Sequence, residues 1–105
     1  MDTVLITGAE GFAGRFVVNA LQNKNYEVVA GVRNRARKLS HERQGGRALV
    51  CDVSDAISVA RVVAAVRPDA VIHLAGVARA SDAADEPLEA YQSIVTAWAN
   101  VLDAV

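Results

Sequence analysis

Three glycines, Gly8, Gly11 and Gly14, follow one another at intervals of three residues near the start of the chain. The segment before them, Thr3–Thr7, reads TVLIT and is rich in β-branched side chains, which favour a strand. After them, Gly11–Lys24 carries apolar side chains at helical spacing. The glycines therefore stand in a tight turn between a strand and a helix.

The rest of the chain continues this alternation of apolar strands and helical segments. Further strands are predicted at Tyr26–Val32, Arg47–Cys51 and Ala70–Ala75. The polar, basic stretch Asn34–Gly46 is predicted to be a loop with a single helical turn. Because parallel strands are joined by right-handed crossovers, this order implies a parallel sheet. The predicted fold class is α/β, half of a doubly wound parallel sheet with about four strands in the order 3-2-1-4.

Apolar spacing also predicts which side of each helix faces the sheet. For the first helix the predicted face comprises Phe12, Phe16, Val17, Ala20 and Leu21. A second helix is expected to be capped by Asp52 and Ser54 and to run to about Val66, with Ile57, Ala60 and Val63 on its buried face. The last helix starts near Pro87 and carries a stripe comprising Leu88, Tyr91, Val95, Trp98, Leu102 and Val105, which Ile94 and Val101 widen.

Composition excludes several classes of protein. The 105 residues suit a single domain, and a net charge of −1 indicates neither a nucleic-acid partner nor an anionic membrane surface. The only cysteine, Cys51, lies among apolar residues and is predicted to be a buried strand thiol, and no cluster of residues has metal-ligand spacing. No signal peptide or long apolar span is visible, so a cytoplasmic location is expected.

The glycine turn has the properties of a pyrophosphate site. The first turn of the following helix has free backbone N–H groups and the positive end of the helix dipole. Gly8 permits the tight turn, Gly11 removes the Cβ that would meet the phosphates, and Gly14 allows close packing of the helix. A glycine triplet alone is weak evidence, but here it follows a strand and opens an amphipathic helix. The alternative is a tight glycine turn that binds no ligand.

The motifs together resemble the extended short-chain dehydrogenase/reductase superfamily, whose members include nucleotide-sugar epimerases, dehydratases and reductases. TGAEGFAG resembles the TGxxGFxG turn of that family, CDVSD resembles the segment whose aspartate approaches the adenine amino group, and PDAVIHLAG resembles PDxVxHLAA. The resemblance covers essentially the whole chain. It implies that a dinucleotide contacts Gly8, Gly11, Phe12, Ala13, Gly14, Asp52, Val53, Leu74, Ala75 and Gly76.

The choice of dinucleotide depends on the end of the second strand. A site that prefers NAD has an acid there for the ribose 2′-hydroxyl, but this chain has Arg33, and no acid lies between Ala30 and Ser40. Arginine suits a 2′-phosphate, so NADP is predicted over NAD, with Arg33 and Arg37 in the site. In the resembling family, GDP-mannose-type dehydratases and reductases also carry arginine at this position. The alternative is a solvated basic loop.

The fourth family motif, FxxNVxGTxNLLxA, departs from the pattern in this chain. Ile94 replaces its first asparagine, and Ala97 and Trp98 replace its Gly-Thr pair. These changes either alter the active site or simply enlarge an apolar face. His73 lies inside the fourth strand and is predicted to be a satisfied core histidine with no chemical role. In the family, the last helix often joins a dimeric helix bundle, so a homo-oligomer through this helix is expected.

The catalytic pair of the family, Tyr-x-x-x-Lys, is not found in these residues. Ala30 follows Tyr26 at that spacing, Val95 follows Tyr91, and no lysine occurs after Lys38. The resemblance therefore implies a dinucleotide-binding domain over residues 1–105 that is incomplete at its C-terminus and inactive alone, with no catalytic residue of its own. A nucleotide-sugar substrate is expected only if a C-terminal part completes the enzyme. The alternative is a non-catalytic module that binds a dinucleotide or a protein partner.

Overall fold

A computed structural model of the chain describes residues 2–9, 12–74 and 87–105. It contains four strands, β1 (Thr3–Thr7), β2 (Glu27–Val32), β3 (Arg47–Val50) and β4 (Ala70–His73). The described helices are α1 (Phe12–Asn23), α2 (Arg35–Arg43), α3 (Ala56–Val66) and α4 (Pro87–Ala104). All four predicted strands are present, and their bounds differ from the prediction by at most two residues.

The four strands form one parallel sheet in the order β3-β2-β1-β4, which confirms the predicted topology. β1 lies in the middle, with Val4 paired to Val28 on one side and to Ala70 on the other. The chain thus moves outward from β1 to β3 and then returns to the opposite side of β1. This reversal of direction is the topological switch point of a doubly wound sheet.

Helices cover both faces of the sheet. On one face, Val18 of α1 packs with Val4 and Ile6 of the central strand. On the other face, Val59 of α3 and Val101 of α4 pack with Leu5. Because successive strand residues point to opposite faces, the continuous apolar run of β1 supplies both cores. Cys51 is buried in the second core, as predicted, but it directly follows β3 rather than lying in the strand.

The segment after β2 is helical over most of its length, so the loop predicted for Asn34–Gly46 is wrong. α2 begins after Asn34, whose side-chain oxygen accepts a hydrogen bond of 2.9 Å from the Arg37 backbone N–H. Lys38 and Glu42 form an ion pair of 3.9 Å one turn apart. These local contacts stabilise a helix that buries no side chain and therefore shows no apolar periodicity.

The predicted buried faces of α1 and α3 are partly wrong. Phe16 is 71% exposed and Ile57 is 64% exposed, whereas the smaller Val18, Val59 and Val62 are buried. Val17 and Leu21 of α1 and Val63 of α3 are partly buried, as the spacing predicts. The N-cap of α3 is Asp55, which accepts from the Ile57 backbone N–H at 3.0 Å, rather than Asp52 or Ser54.

The apolar stripe of the last helix divides between two environments. Ala97 and Val101 are buried, Val101 in the core cluster that contains Leu5 of β1, and Ile94 and Ala104 are partly buried. Most of the predicted stripe instead remains exposed, namely Leu88, Val95, Trp98, Leu102 and Val105. We call these five residues the outer face of α4. Among the described residues, no helix is long and apolar enough to cross a membrane.

Candidate functional site

The residues predicted to bind a ligand follow the carboxyl ends of the strands. Gly8 follows β1, Arg33 follows β2, and Leu74 follows β4. Asp52 comes two residues after the end of β3. Since the sheet is parallel, these four ends lie along one edge, which is where doubly wound proteins bind ligands. Gly11, Ala75 and Gly76 lie outside the described residues.

The described part of the turn between β1 and α1 shows the close backbone approach that the glycine pattern predicts. Gly8 has a φ of 77°, in the left-handed region that favours glycine, and its N–H donates to the Gly31 carbonyl at 3.1 Å. A methyl group on Gly14 would lie 2.5 Å from the Ala9 Cα and 2.7 Å from the Ala9 carbonyl oxygen. Because Gly14 has no side chain, the first helical turn of α1 packs directly against the Ala9 backbone in the loop after β1. Phe12 opens α1, and the Ala13 side chain is exposed.

The loop after β3 is ordered by its own side chains. Asp52 Oδ1 accepts hydrogen bonds from the Ser54 N–H at 3.0 Å and from the Ser54 hydroxyl at 2.6 Å. The Asp52 N–H donates to Ser58 Oγ at 2.9 Å, and the Asp52 carbonyl accepts from the Asp55 N–H at 3.0 Å. Within the described residues, Asp52 Oδ2 and the Val53 N–H make no hydrogen bond. Two consecutive residues of this loop thus offer one acceptor and one donor that are not used among the described residues.

A further contact of this loop was not predicted from the sequence. The Asn100 side-chain N–H of α4 donates to the Val53 carbonyl at 2.9 Å. Asn100 lies 47 residues from Val53 in the chain. Its match to the second asparagine of FxxNVxGTxNLLxA and its place on the core-facing side of an apolar helix are the signals that could have found it, because a polar residue on that side needs a partner. The sequence does not indicate which group that partner is.

The basic residues after β2 stand at the start of α2. Arg33 and Arg37 are exposed, and within the described part of the chain neither forms an ion pair. The free N–H groups of the first turn of α2 lie in the same segment. The positive charges of Arg33 and Arg37 are therefore not neutralised by a described carboxylate.

The end of β4 is tied to the end of β1 through His73. His73 Nδ1 lies 2.7 Å from the Thr7 hydroxyl, and the Leu74 N–H donates to the Thr7 carbonyl at 2.9 Å. The Trp98 ring meets the His73 ring edge to face, with centroids 4.4 Å apart. His73 Nε2 is buried without a partner among the described residues, so the histidine is only half satisfied. Burial lowers the pKa of His73 from its ordinary value of 6.5.

Groups that could hold a metal ion are not found among the described residues. The described edge instead combines glycines at a helix N-terminus, an acceptor and a donor without a hydrogen bond among the described residues, and two arginines without an ion pair there. A parallel sheet in this strand order, with helices on both faces, is the N-terminal half of a Rossmann-type α/β fold.

The comparisons with known proteins agree with this class. Residues 4–105 match the family model described as "NAD dependent epimerase/dehydratase family". The chain belongs to this family.

Three known proteins illustrate the relationship. The chain is 36% identical over 70 residues to 3-diazoavenalumate denitrifying reductase from a Streptomyces species, covering 67% of this chain and 22% of that protein. It is similar to L-threonine dehydrogenase from Clostridium difficile, with 29% identity, 99% and 33% coverage of the two chains and a TM-score of 0.82. It also resembles UDP-glucose 4-epimerase from Thermus thermophilus, solved with NAD, with 25% identity, 97% and 33% coverage and a TM-score of 0.81.

The chain spans about a fifth of the curated relative and a third of the two solved proteins. The activities of these longer proteins are properties of those proteins.

Proposed function

We propose that this chain binds a nicotinamide dinucleotide along the carboxyl edge of its sheet, as the N-terminal portion of an epimerase, dehydratase or reductase that acts on a nucleotide sugar. The observation that carries the proposal is the β1–α1 turn, where Gly8 has a positive φ and Gly14 lies against the Ala9 backbone. This turn stands at the switch point of a sheet whose family is described as NAD dependent. The Thermus thermophilus relative, solved with NAD, supports the same class of ligand.

The pyrophosphate would lie against the first turn of α1. Helix N-terminal N–H groups donate to phosphate oxygens, and the helix dipole favours their negative charge. Gly8 and Gly14 bring the backbone close enough for this contact, while Phe12 and Ala13 open the helix. Gly11 keeps its predicted role as the position without a Cβ under the phosphates.

The adenine would bind to the loop after β3. Its exocyclic amino group is a hydrogen-bond donor, and the adjacent ring nitrogen N1 is an acceptor. Asp52 Oδ2 and the Val53 N–H offer the complementary acceptor and donor, and neither is used within the described residues. Because Ser54 holds the other carboxylate oxygen with two hydrogen bonds, the free oxygen has a fixed position. Leu74, with Ala75 and Gly76, would line the site at the end of β4.

The ribose 2′-position would lie near Arg33, and this contact favours NADP. Guanidinium groups bind phosphate through two parallel hydrogen bonds, and Arg33 and Arg37 form no ion pair in the described chain. The alternative is NAD, the dinucleotide of the solved Thermus thermophilus relative. Arg33 stands where a site that prefers NAD would carry an acid.

Titration calorimetry with both dinucleotides decides between these alternatives. We expect the wild type to bind NADP more tightly than NAD, and Arg33→Asp to weaken NADP binding by about tenfold or more, which is about 1.4 kcal/mol. Arg61→Asp, at an exposed arginine of α3, is the matched control and should leave both affinities unchanged. A wild type that prefers NAD, or an Arg33→Asp variant that still prefers NADP, would contradict the assignment.

The bound nicotinamide would supply hydride transfer. The Tyr-x-x-x-Lys pair that moves the proton in the resembling family is not among these 105 residues. We therefore expect dinucleotide binding without turnover by residues 1–105 alone. Reproducible oxidation of NADPH by this portion in the presence of a nucleotide sugar would contradict that expectation.

A second proposed role concerns association between copies of the chain. The outer face of α4 is apolar and exposed, and Trp98 in it is 46% exposed. Large aromatic side chains of this kind often dominate protein interfaces. The proposal is a two-fold dimer in which the outer faces of two α4 helices pack together. In the alternative function, a module that binds only a protein partner, this face would be the binding surface and the glycine turn would bind no ligand.

A further inference from the structure

Asn100 is a polar side chain on the core-facing side of α4. Its neighbours one turn away on that side are Ala97, which is buried, and Ala104, which is partly buried, and Val101 beside it is also buried. A polar amide among apolar groups is costly unless it is hydrogen-bonded. The Asn100 N–H satisfies this requirement by donating to the Val53 carbonyl at 2.9 Å.

This hydrogen bond fixes the carbonyl of Val53, the residue whose N–H, together with the Asp52 carboxylate, is proposed to bind adenine. On one side of Val53, Asp52 is held by Ser54 and Ser58. On the other side, Asp55 closes the turn by donating to the Asp52 carbonyl. Of the described hydrogen bonds of residues 52–55, the one to the Val53 carbonyl has its partner outside the β3–α3 segment, and α4 provides the donor. With its carbonyl held, the Val53 residue has a restricted orientation, which also restricts its own N–H.

We propose that Asn100 is a positioning residue for adenine: through the Val53 carbonyl it holds the Val53 N–H and the Asp52 carboxylate in the arrangement that matches the two hydrogen-bonding groups of the base. The inference rests on the proposed function, since it concerns the same dinucleotide site. It adds a residue that touches no ligand, and it links α4 to the adenine end of that site. The glycine turn lies outside this contact.

The adenine end and the pyrophosphate end of the proposed site lie on different loops. A comparison of ligands with and without adenine therefore tests the role of Asn100. Binding of ADP, NADP and inorganic pyrophosphate is measured by calorimetry for the wild type, Asn100→Asp and Asn100→Ala. Asn100→Asp keeps the side-chain shape but replaces the donor with an acceptor that repels the Val53 carbonyl. Asn100→Ala removes the group altogether and serves if the aspartate variant does not fold. Thr96→Ala, at an exposed position of the same helix, is the matched control.

We expect both Asn100 variants to bind ADP and NADP about three- to tenfold more weakly, the range of one lost hydrogen bond. Pyrophosphate affinity should be unchanged, and Thr96→Ala should bind all three ligands as the wild type does. Folded variants that lose thermal stability but bind ADP normally would show a purely structural role and overturn the inference. Equal weakening of pyrophosphate and ADP would also overturn it. A wild type that binds none of the three ligands would overturn the proposed function and this inference together.

Discussion

Gly14 shows at the scale of one residue how the site depends on close backbone contact. Its missing side chain lets α1 begin against Ala9, whose Cα would be 2.5 Å from a methyl group at this position. Such a separation is far below ordinary van der Waals contact, and the obstacle is backbone, which cannot rotate away. A substitution must therefore move the helix away from the turn.

We expect Gly14→Ala to lower the free energy of unfolding by about 1–3 kcal/mol. The sign of this change distinguishes two effects, because helix propensity alone would make the Gly14→Ala variant more stable than the wild type by about 1 kcal/mol. Chemical denaturation measures the change. Asn19→Ala, at an exposed position of α1, is the control and should be neutral or slightly stabilising. A Gly14→Ala variant more stable than the wild type would show that the helix does not approach Ala9 closely.

His73 gives the structure a dependence on pH. Burial lowers the pKa of His73, so the folded chain favours the neutral imidazole while the unfolded chain takes up a proton near pH 6.5. The contribution of neutral His73 to the free energy of unfolding is complete above pH 6.5. It is lost as the pH falls from 6.5 towards the lower pKa of His73 in the folded chain. We expect His73→Gln to make the fall in unfolding free energy between about pH 7 and pH 5 shallower than in the wild type. Denaturation curves at several pH values test this, and an unchanged slope would contradict it.

At the scale of elements, α2 depends on local contacts rather than on burial. We expect Asn34→Ala to remove the cap on the Arg37 N–H and to lower the free energy of unfolding by about 1 kcal/mol. Chemical denaturation measures this change, and Asn34→Asp, which keeps a capping oxygen, is the matched control. A neutral Asn34→Ala change with a destabilising Asn34→Asp change would contradict the capping role.

The strands and the topology could be predicted from the sequence because continuous apolar runs and their order largely determine a parallel sheet. The helices were harder to predict. α2 buries no side chain, so it offers no periodic signal. In α1 and α3 the pattern favours the large Phe16 and Ile57, while the space beside the sheet is filled by the smaller Val18 and Val59. Which side of an apolar helix faces the sheet is decided by packing.

At the scale of the whole molecule, the site is only partly predictable because its contacts join distant segments. Gly8, Arg33, Asp52 and Leu74 follow strand ends, so the order of the strands places them on one edge. The Asn100 contact with Val53 spans 47 residues, and the His73 contact with Thr7 spans 66. Neither pair has a motif that connects its members. Gly11, Ala75 and Gly76 lie outside the described residues, and their roles stay predictions.

The association of whole molecules depends on the outer face of α4. We expect the wild type to sediment as a dimer at tens of micromolar and Trp98→Glu to shift it to a monomer, because a charge in an apolar interface is costly when it is desolvated. Thr96→Glu, at an exposed polar position of the same helix, is the control. A monomeric wild type would contradict the proposal, and an unchanged dimer in Trp98→Glu would place the interface elsewhere.

The proposed dinucleotide lies along the carboxyl edge of the sheet, from the glycine turn to the loop after β3. The most direct measurement is an NMR titration of the isotope-labelled chain with NADP, following the backbone amide signals. We expect saturable shifts at Gly8 and Ala9, at Arg33 and at Asp52 and Val53, with little change at the opposite edge around Glu27 and Asp69. Absence of saturable shifts, or shifts confined to the opposite edge or to the outer face of α4, would contradict it.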